Sequence, residues 1–274
     1  MRARLVGCCL LLALALASPS GAADPPYYLA LGDSLAIGIQ PDADGNYVET
    51  NQGYVDDLYA VLHTYVPTLQ LEKLGCSGET TTSMISGQIC TYPAGSQLSQ
   101  ALLFLQTHRV DLITIDIGAD DVLRCVLLAA KQISGCVTAA VVAIHTQLAG
   151  ILAALRAAAP NALIVGMNYY DPFVPLWLMG PTGQALASSS LSIMTTFNAA
   201  LGLIYQALQV PMADVAAMFR INGTPPRITV ANTVLALGWT WMSAPPPRGP
   251  DVHPNALGYM AIASAFAKMI AVSQ

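Results

Sequence analysis

The stretch "YYLALGDSLAIG", residues 27–38, decides how the rest of the chain is read. Five apolar or aromatic residues run without polar alternation into Gly32-Asp33-Ser34-Leu35. A short, continuous apolar run that ends in a turn signal fits a strand buried on both faces, and such strands belong to parallel sheets covered by helices. Ser34 then stands at the carboxyl end of that strand, where an open α/β sheet keeps its ligands. Taken alone, Ser34 reads as the N-cap of a following helix. A hydroxyl on such a strand-to-helix turn also faces amides that favour developing negative charge, so a nucleophile is the second reading.

Outward from this point the pattern repeats. Strands are expected over 27–31, 70–74, 110–117, 162–167 and 210–213, and helices over 53–65, 96–108, 138–158, 184–208 and 256–271, the last capped by Asn255. Short apolar runs alternating with longer amphipathic ones predict βαβ units. The second and third strands also run into Gly-led polar turns, Gly75-Cys76-Ser77-Gly78-Glu79-Thr80 and Gly118-Ala119-Asp120-Asp121. Segments 40–52 and 221–250 are rich in Gly, Pro, Asn and Thr and read as long loops; Pro245, Pro246 and Pro247 exclude a central strand or helix there. Loops of this length inside a domain are commonly functional.

The 274 residues are 54% hydrophobic and 10% charged, with a formal net charge of −5. That composition suffices for one large core, and the scattered Lys and Arg argue against nucleic acid as a partner. Arg2 and Arg4, the apolar run 5–17 and the small residues after it form the n-region, h-region and cleavage pattern of a secretory signal, expected over 1–23 with cutting after Ala22 or Ala23. The run is short of the ~20 residues of a bilayer span, so no transmembrane anchor is expected in the mature chain. "LVGC" at 5–8 precedes the hydrophobic region and is not read as a lipidation site. A single domain is expected over 24–274.

Loss of Cys8 and Cys9 with the signal leaves Cys76, Cys90, Cys125 and Cys136 in an exported protein. Three pairings exist; Cys76 with Cys90 and Cys125 with Cys136 demand the least long-range geometry. No Cys-x-x-Cys pair or nearby His suggests zinc, and no cofactor is expected.

A nucleophilic serine needs a base, and the chain has four histidines. His63, His108 and His145 lie in or near expected helices and read as helix residues. His253 differs, standing in "PDVHPNALGY" between the Pro-rich loop and the last helix.

"GDSL" near the mature N-terminus, "GCSGET", "GADD" and "DVHPNALGY", in that order, resemble the conserved blocks of the SGNH, or GDSL, hydrolase superfamily, and in particular its exported actinobacterial esterases and lipases. The resemblance implies a flavodoxin-like three-layer α/β/α sandwich with a parallel central sheet and a shallow site. It implies Ser34 as nucleophile, His253 as base, and an oxyanion hole of the Ser34 amide, the Gly78 amide and a side chain from the third block. A Cys76–Cys90 bridge would pin the turn that presents Gly78.

Two positions depart from the family pattern. Asp120 stands where an asparagine is usual, and an ionised carboxylate only accepts hydrogen bonds. Asp120 must then be protonated to serve, which Asp121 and burial would favour, or another group such as Asn168 must substitute. The acid usually lies three residues before the histidine, where this chain has Pro250. Asp251, two residues before His253, is the candidate orienting acid, and a backbone carbonyl is the alternative. Asp33 and Asp121 read as turn-fixing residues and Glu79 as a solvated or capping one.

The expected function is a secreted carboxylic-ester hydrolase working through an acyl-serine intermediate. The apolar stretches 169–180 and 235–242 suit fatty-acyl or lipid esters. The alternatives are a polysaccharide acetylesterase and a catalytically degenerate fold used for binding; association with the cell envelope stays open.

Overall fold

Strands with no polar face must be buried between two helical layers, and that is the arrangement found. The computed structural model describes residues 24–126, 128, 130–221, 223 and 227–273. The expected signal peptide, with Cys8 and Cys9, lies outside the described residues. In chain order the strands are β1 (Tyr27–Gly32), β2 (Ile39–Pro41), β3 (Tyr47–Glu49), β4 (Gln70–Lys73), β5 (Val110–Asp116), β6 (Leu163–Met167) and β7 (Met212–Ala213). The helices are α1 (Tyr54–Tyr65), α2 (Thr81–Ser86), α3 (Gln97–Leu105), α4 (Ala119–Val126), α5 (Ala130–Ala158), α6 (Gly180–Ala207), α7 (Val215–Met218), α8 (Val230–Trp239) and α9 (Ala256–Val272), and a 3₁₀ segment (Val174–Met179) precedes α6.

Five strands form one sheet in the order β4-β1-β5-β6-β7, every pair parallel. The chain therefore leaves β1 in one direction to β4 and returns past it to β5. A crevice opens at that switch point, outside the carboxyl ends of β1 and β5. Helices α1 and α9 pack together, with Tyr54 stacked on Phe266 at 4.8 Å between ring centroids. Helix α5 packs with α3, α4 and α6; its Ile144, Leu148, Ile151 and Leu155, three or four residues apart, are completely buried. The runs Lys131–Ala158 and Val174–Ala207 are long and apolar enough to cross a membrane, by length and composition. Here each turns an apolar stripe inward, α6 through Phe197, Leu201, Ile204 and Tyr205.

All five expected sheet strands are present within a residue or two. Helix α5 begins at residue 130 rather than 138. The turn after β1 does not lead into a helix: the Gly38 amide donates to the Leu35 carbonyl, the Ile39 amide to that of Ser34, and the chain enters β2. Ser34 is thus not an N-cap.

The two segments read as loops are also corrected. Residues 39–49 contain the antiparallel hairpin β2–β3. Helix α8 lies inside 221–250 because Thr229 and Asn232 form a capping box ahead of an apolar run. That local signal outweighs the Gly and Pro residues around it. Both cysteine pairs are joined as the short spacings suggested, Cys76–Cys90 and Cys125–Cys136.

Candidate active site

β1 is fixed on both sides. Tyr27 to Ala30 pair with β4, and Tyr28 to Gly32 pair with β5. At its end the Gly32 amide donates to Gln97 Oε1 at 2.7 Å, and Gln97 Nε2 donates to the Gly32 carbonyl at 2.9 Å. Gly32 has a φ of +144°, and a Cβ there would meet the Asp116 carbonyl oxygen at 2.3 Å, so only glycine lets β1 lie this close to the end of β5. The next turn is locked by Asp33, whose Oδ1 accepts the Leu35 amide at 2.9 Å. These contacts leave Ser34 buried at the floor of a crevice, 8% exposed.

The partner groups come from the far end of the chain. His253 Nε2 lies 2.9 Å from Ser34 Oγ, and His253 Nδ1 lies 2.9 Å from Asp251 Oδ1. The same Oδ1 also accepts the His253 amide at 2.9 Å, which closes the two-residue spacing into a tight turn. Asp251 thus makes the contact, and Pro250 at the usual acid position does not. Burial by itself would raise the Asp251 carboxyl; hydrogen bonds from His253 and its charge outweigh burial and hold the carboxyl below the usual range.

The loop carrying this pair is tied down strand-fashion. The Trp241 amide donates to the His253 carbonyl, the Asp251 amide to that of Trp241, and the Asn255 amide to that of Trp239. Tyr170 Oη donates to the Val252 carbonyl at 2.7 Å.

Around the serine, Gly78 and Asp120 line the same cavity. Gly78 has a φ of +81°, which favours glycine, and its absent Cβ would point into open space. Among the described residues, neither the Ser34 nor the Gly78 amide donates to a protein acceptor. Cys76–Cys90 holds the turn before Gly78, and Cys125–Cys136 joins α4, which carries Asp120, to α5.

Burial pushes Asp120 up to about 7, with the Asp33 carboxyl adding to the rise and His253 and Arg124 opposing it. A carboxyl shifted this far carries a proton through the acidic range and can then donate a hydrogen bond. Asn168, the substitute considered from sequence, is spent elsewhere: its Nδ2 donates to Asp214 Oδ1 and its Oδ1 accepts the Ala216 amide, so it secures α7.

Beneath Ser34 the turn-fixing Asp33 meets a second carboxyl, Asp116, that sequence reasoning passed over. Asp33 and Asp116 are 1% and 0% exposed, and the Asp33 amide donates to the Asp116 carbonyl at 3.1 Å. Tyr54 Oη donates to Asp116 Oδ1 at 2.6 Å, and Tyr169 Oη to Asp33 Oδ2 at 3.4 Å. Burial raises both; Asp116 goes to about 7, and Asp33, facing Asp116, well above the usual carboxylate range. Burial of the two acids beside each other disfavours carrying a charge on both.

Glu79 is buried and accepts Gln97 Nε2 at 3.1 Å, a correction of its reading as a solvated or capping residue. Asp121 accepts the Thr81 amide and hydroxyl and so ties α2 to α4.

The cavity over Ser34 measures about 300 Å³. Val122, Val126, Phe173, Ile193, Met194 and Phe197 make its walls mainly apolar. Such a cleft can take an aliphatic chain while Ser34 meets the polar end. Among the described residues no group of His, Cys, Asp and Glu could hold a metal.

A model of the GDSL-like lipase/acylhydrolase family matches residues 30–261. Among solved structures, the extracellular lipase of Streptomyces rimosus is similar over 89% of this chain and 99% of its own, at 18% identity and a TM-score of 0.61. Phospholipase A1 of Streptomyces albidoflavus covers the same shares, at 17% identity and a TM-score of 0.57. A carbohydrate acetylesterase of Sinorhizobium meliloti is similar over 91% of this chain and 100% of its own, at 14% identity and a TM-score of 0.52. At these identities the likeness is one of fold. No curated protein matches the chain in sequence.

Proposed function

The chain belongs to the GDSL-like lipase/acylhydrolase family, and from that premise we propose that it is an exported serine ester hydrolase acting on fatty-acyl or lipid esters, with Ser34 as nucleophile, His253 as base and Asp251 as the acid that orients it. The observation that carries this reading is the pair of 2.9 Å contacts on the two ring nitrogens of His253, Nε2 to Ser34 Oγ and Nδ1 to Asp251 Oδ1, at the floor of an apolar cleft.

With Nδ1–H donating to Asp251, Nε2 is unprotonated and accepts the Ser34 proton as Oγ attacks the ester carbonyl. The carbonyl oxygen becomes an oxyanion within reach of the Ser34 and Gly78 amides and of Asp120 in its protonated form. Collapse of the tetrahedral intermediate breaks the bond to the alcohol, which leaves with the proton from Nε2. Water, deprotonated by the same nitrogen, then releases the acid and restores Ser34.

The acyl preference follows from the walls of the cleft and from the surface beside it. Residues 172–213, which include the 3₁₀ segment and α6, contain no Asp, Glu, Lys, Arg or His. Leu178, Met179 and Leu186 in this run are more than half exposed, at 65%, 71% and 55%. An uncharged apolar surface next to an apolar cleft suits a lipid substrate and association with the envelope. Two disulfides and the signal-like N-terminus support export.

The test is labelling of the mature protein with a fluorophosphonate, followed by peptide mapping and by turnover of acyl esters from acetyl to palmitoyl. The adduct is expected on Ser34, absent from the His253→Ala variant, with turnover favouring medium or long chains. A strict acetyl preference would reassign the substrate to an acetylated polysaccharide. Absence of both labelling and turnover would leave a binding protein.

A further inference from the structure

The hairpin β2–β3 has no part in the sheet, yet it is fastened to the loop that carries Asp251 and His253. Arg248 Nε donates to the Asp42 carbonyl at 3.2 Å, and Trp241 Nε1 donates to Gln40 Oε1 at 3.3 Å. A Cβ on Gly45 would meet the Pro247 carbonyl oxygen at 2.2 Å, so hairpin and loop are in direct backbone contact. From this hairpin Tyr47 reaches back over the site. Its ring meets the His253 imidazole edge-on, with centroids 5.1 Å apart and planes at 75°.

Asp251 has one oxygen more than His253 uses. Oδ2 is buried and, among the described residues, finds no hydrogen-bond partner, although the residue is only 4% exposed. Leaving a buried carboxylate oxygen unpaired is costly, so a donor is called for. Hydrogen bonding of the Tyr47 phenol toward this carboxylate, with burial and the carboxylate's charge, pushes the hydroxyl up to about 12, so it stays protonated and able to donate, and the contact needs only to shorten. Tyr47 also lines both the apolar cleft over Ser34 and a second crevice of about 170 Å³ that Asp251 lines as well. Its ring is 60% exposed on the side away from the imidazole, so a small rotation of the phenol meets no packed neighbour in the core.

We propose that Tyr47 is a positioning residue for the Asp251–His253 pair. Its ring braces the imidazole, and its phenol closes onto Asp251 Oδ2 as substrate fills the cleft and displaces water. The inference rests on the serine-hydrolase reading above and adds to it a fourth member, supplied by a segment outside the sheet. A group that steadies the acid acts on the chemical step and not on substrate affinity, so its loss is read in kcat.

The experiment is a double-mutant cycle on a soluble short-chain ester. Tyr47→Phe keeps the ring and loses the hydroxyl; Tyr47→Leu loses both. The expected result is a fall in kcat of about 5-fold for Tyr47→Phe, the size of one net hydrogen bond, with KM and melting temperature unchanged, and a larger fall in kcat for Tyr47→Leu, whose lost ring also alters the cleft wall and so KM. In an Asp251→Ala background the Tyr47→Phe effect should vanish, because the hydroxyl then has nothing to act through. An unchanged kcat for Tyr47→Phe, an effect confined to KM, or an equal penalty in both backgrounds would overturn the proposal and leave Tyr47 a wall of the cleft. Fluorophosphonate labelling of Ser34 in the wild type separates this outcome from failure of the serine-hydrolase reading, which would abolish labelling altogether.

Discussion

Ser34, Gly78 and Asp120 follow strands β1, β4 and β5, whereas Asp251 and His253 sit on an irregular loop between α8 and α9. The first group is placed by sheet ladders and by the Gln97 clamp on Gly32. The second is placed by loop hydrogen bonds to Trp239, Trp241 and Tyr170 and by the β2–β3 hairpin. Their electrostatics are opposed as well. Burial raises the carboxyls of Asp33, Asp116 and Asp120 at the strand ends, while His253 holds Asp251 low on the loop. The strand ends thus form a proton-rich half and the loop a carboxylate-bearing one, which in the proposed reaction would serve, through Asp120, the developing negative charge and, through His253, the accepted proton.

The largest effect that tests this division is removal of the reacting pair. Ser34→Ala and His253→Ala should each lower kcat by about 10⁶, with no further loss on combining them, because nucleophile and base act as a unit. Asp251→Ala should cost less, about 10⁴, since the imidazole loses its orientation but stays in place. An Asp251→Ala variant within about tenfold of wild type would break the comparison. The loop half would then be a Ser34–His253 dyad steadied by a backbone carbonyl.

A smaller effect sharpens the strand-end half. If Asp120 serves as a protonated donor, each pH unit above its value of about 7 removes about tenfold of the working form. Asp120→Asn supplies a donor at every pH. The ratio of Asp120→Asn to wild-type turnover should therefore be flat in acid and climb to about 10² two units above 7, read from parallel pH–rate profiles. A ratio that does not change with pH would remove Asp120 from the oxyanion site.

The same division explains what was legible in the sequence. The strand-end half announces itself locally: an apolar run, then a glycine, then polar residues, three times over. Its roles came from the resemblance to a family, and its spacing from the rule that open sheets work at their carboxyl ends. The loop half offered only His253 in an unusual setting. Its acid, Asp251, could be named only beside a backbone carbonyl as the alternative, because the turn that brings Asp251 Oδ1 to both the amide and Nδ1 of His253 is a three-dimensional fact. Helix α8 and hairpin β2–β3 were hidden by Gly, Pro and Asn, residues that mark turns wherever they occur. The Asp33–Asp116 pair was hidden because the two residues meet only through the β1–β5 register, where Gly32 lies opposite Asp116.

The smallest effect concerns stability, where the two halves should pull in opposite directions. Asp116 rises from an ordinary 3.8 to about 7 on folding, so between these values the folded chain holds a proton that the unfolded chain has lost. Stability then falls as pH rises through this window and levels off above it. Asp251 is shifted the other way; its contribution is complete above the ordinary carboxylate value and is lost as pH falls through its lowered one. Together they place the melting maximum near the ordinary carboxylate value of 3.8, and each kcal/mol should move the midpoint by about 2–4 °C in a chain of this size. Asp116→Asn, which keeps an acceptor for Tyr54 and cannot ionise, should make the decline between about pH 4 and 7 shallower, the remainder coming from Asp33 and Asp120, while leaving the acid limb in place. Asp251→Asn should do the reverse. Calorimetric melts of the three proteins from about pH 2 to 8 decide it, and an unchanged slope in Asp116→Asn would show that Asp116 does not take up a proton on folding.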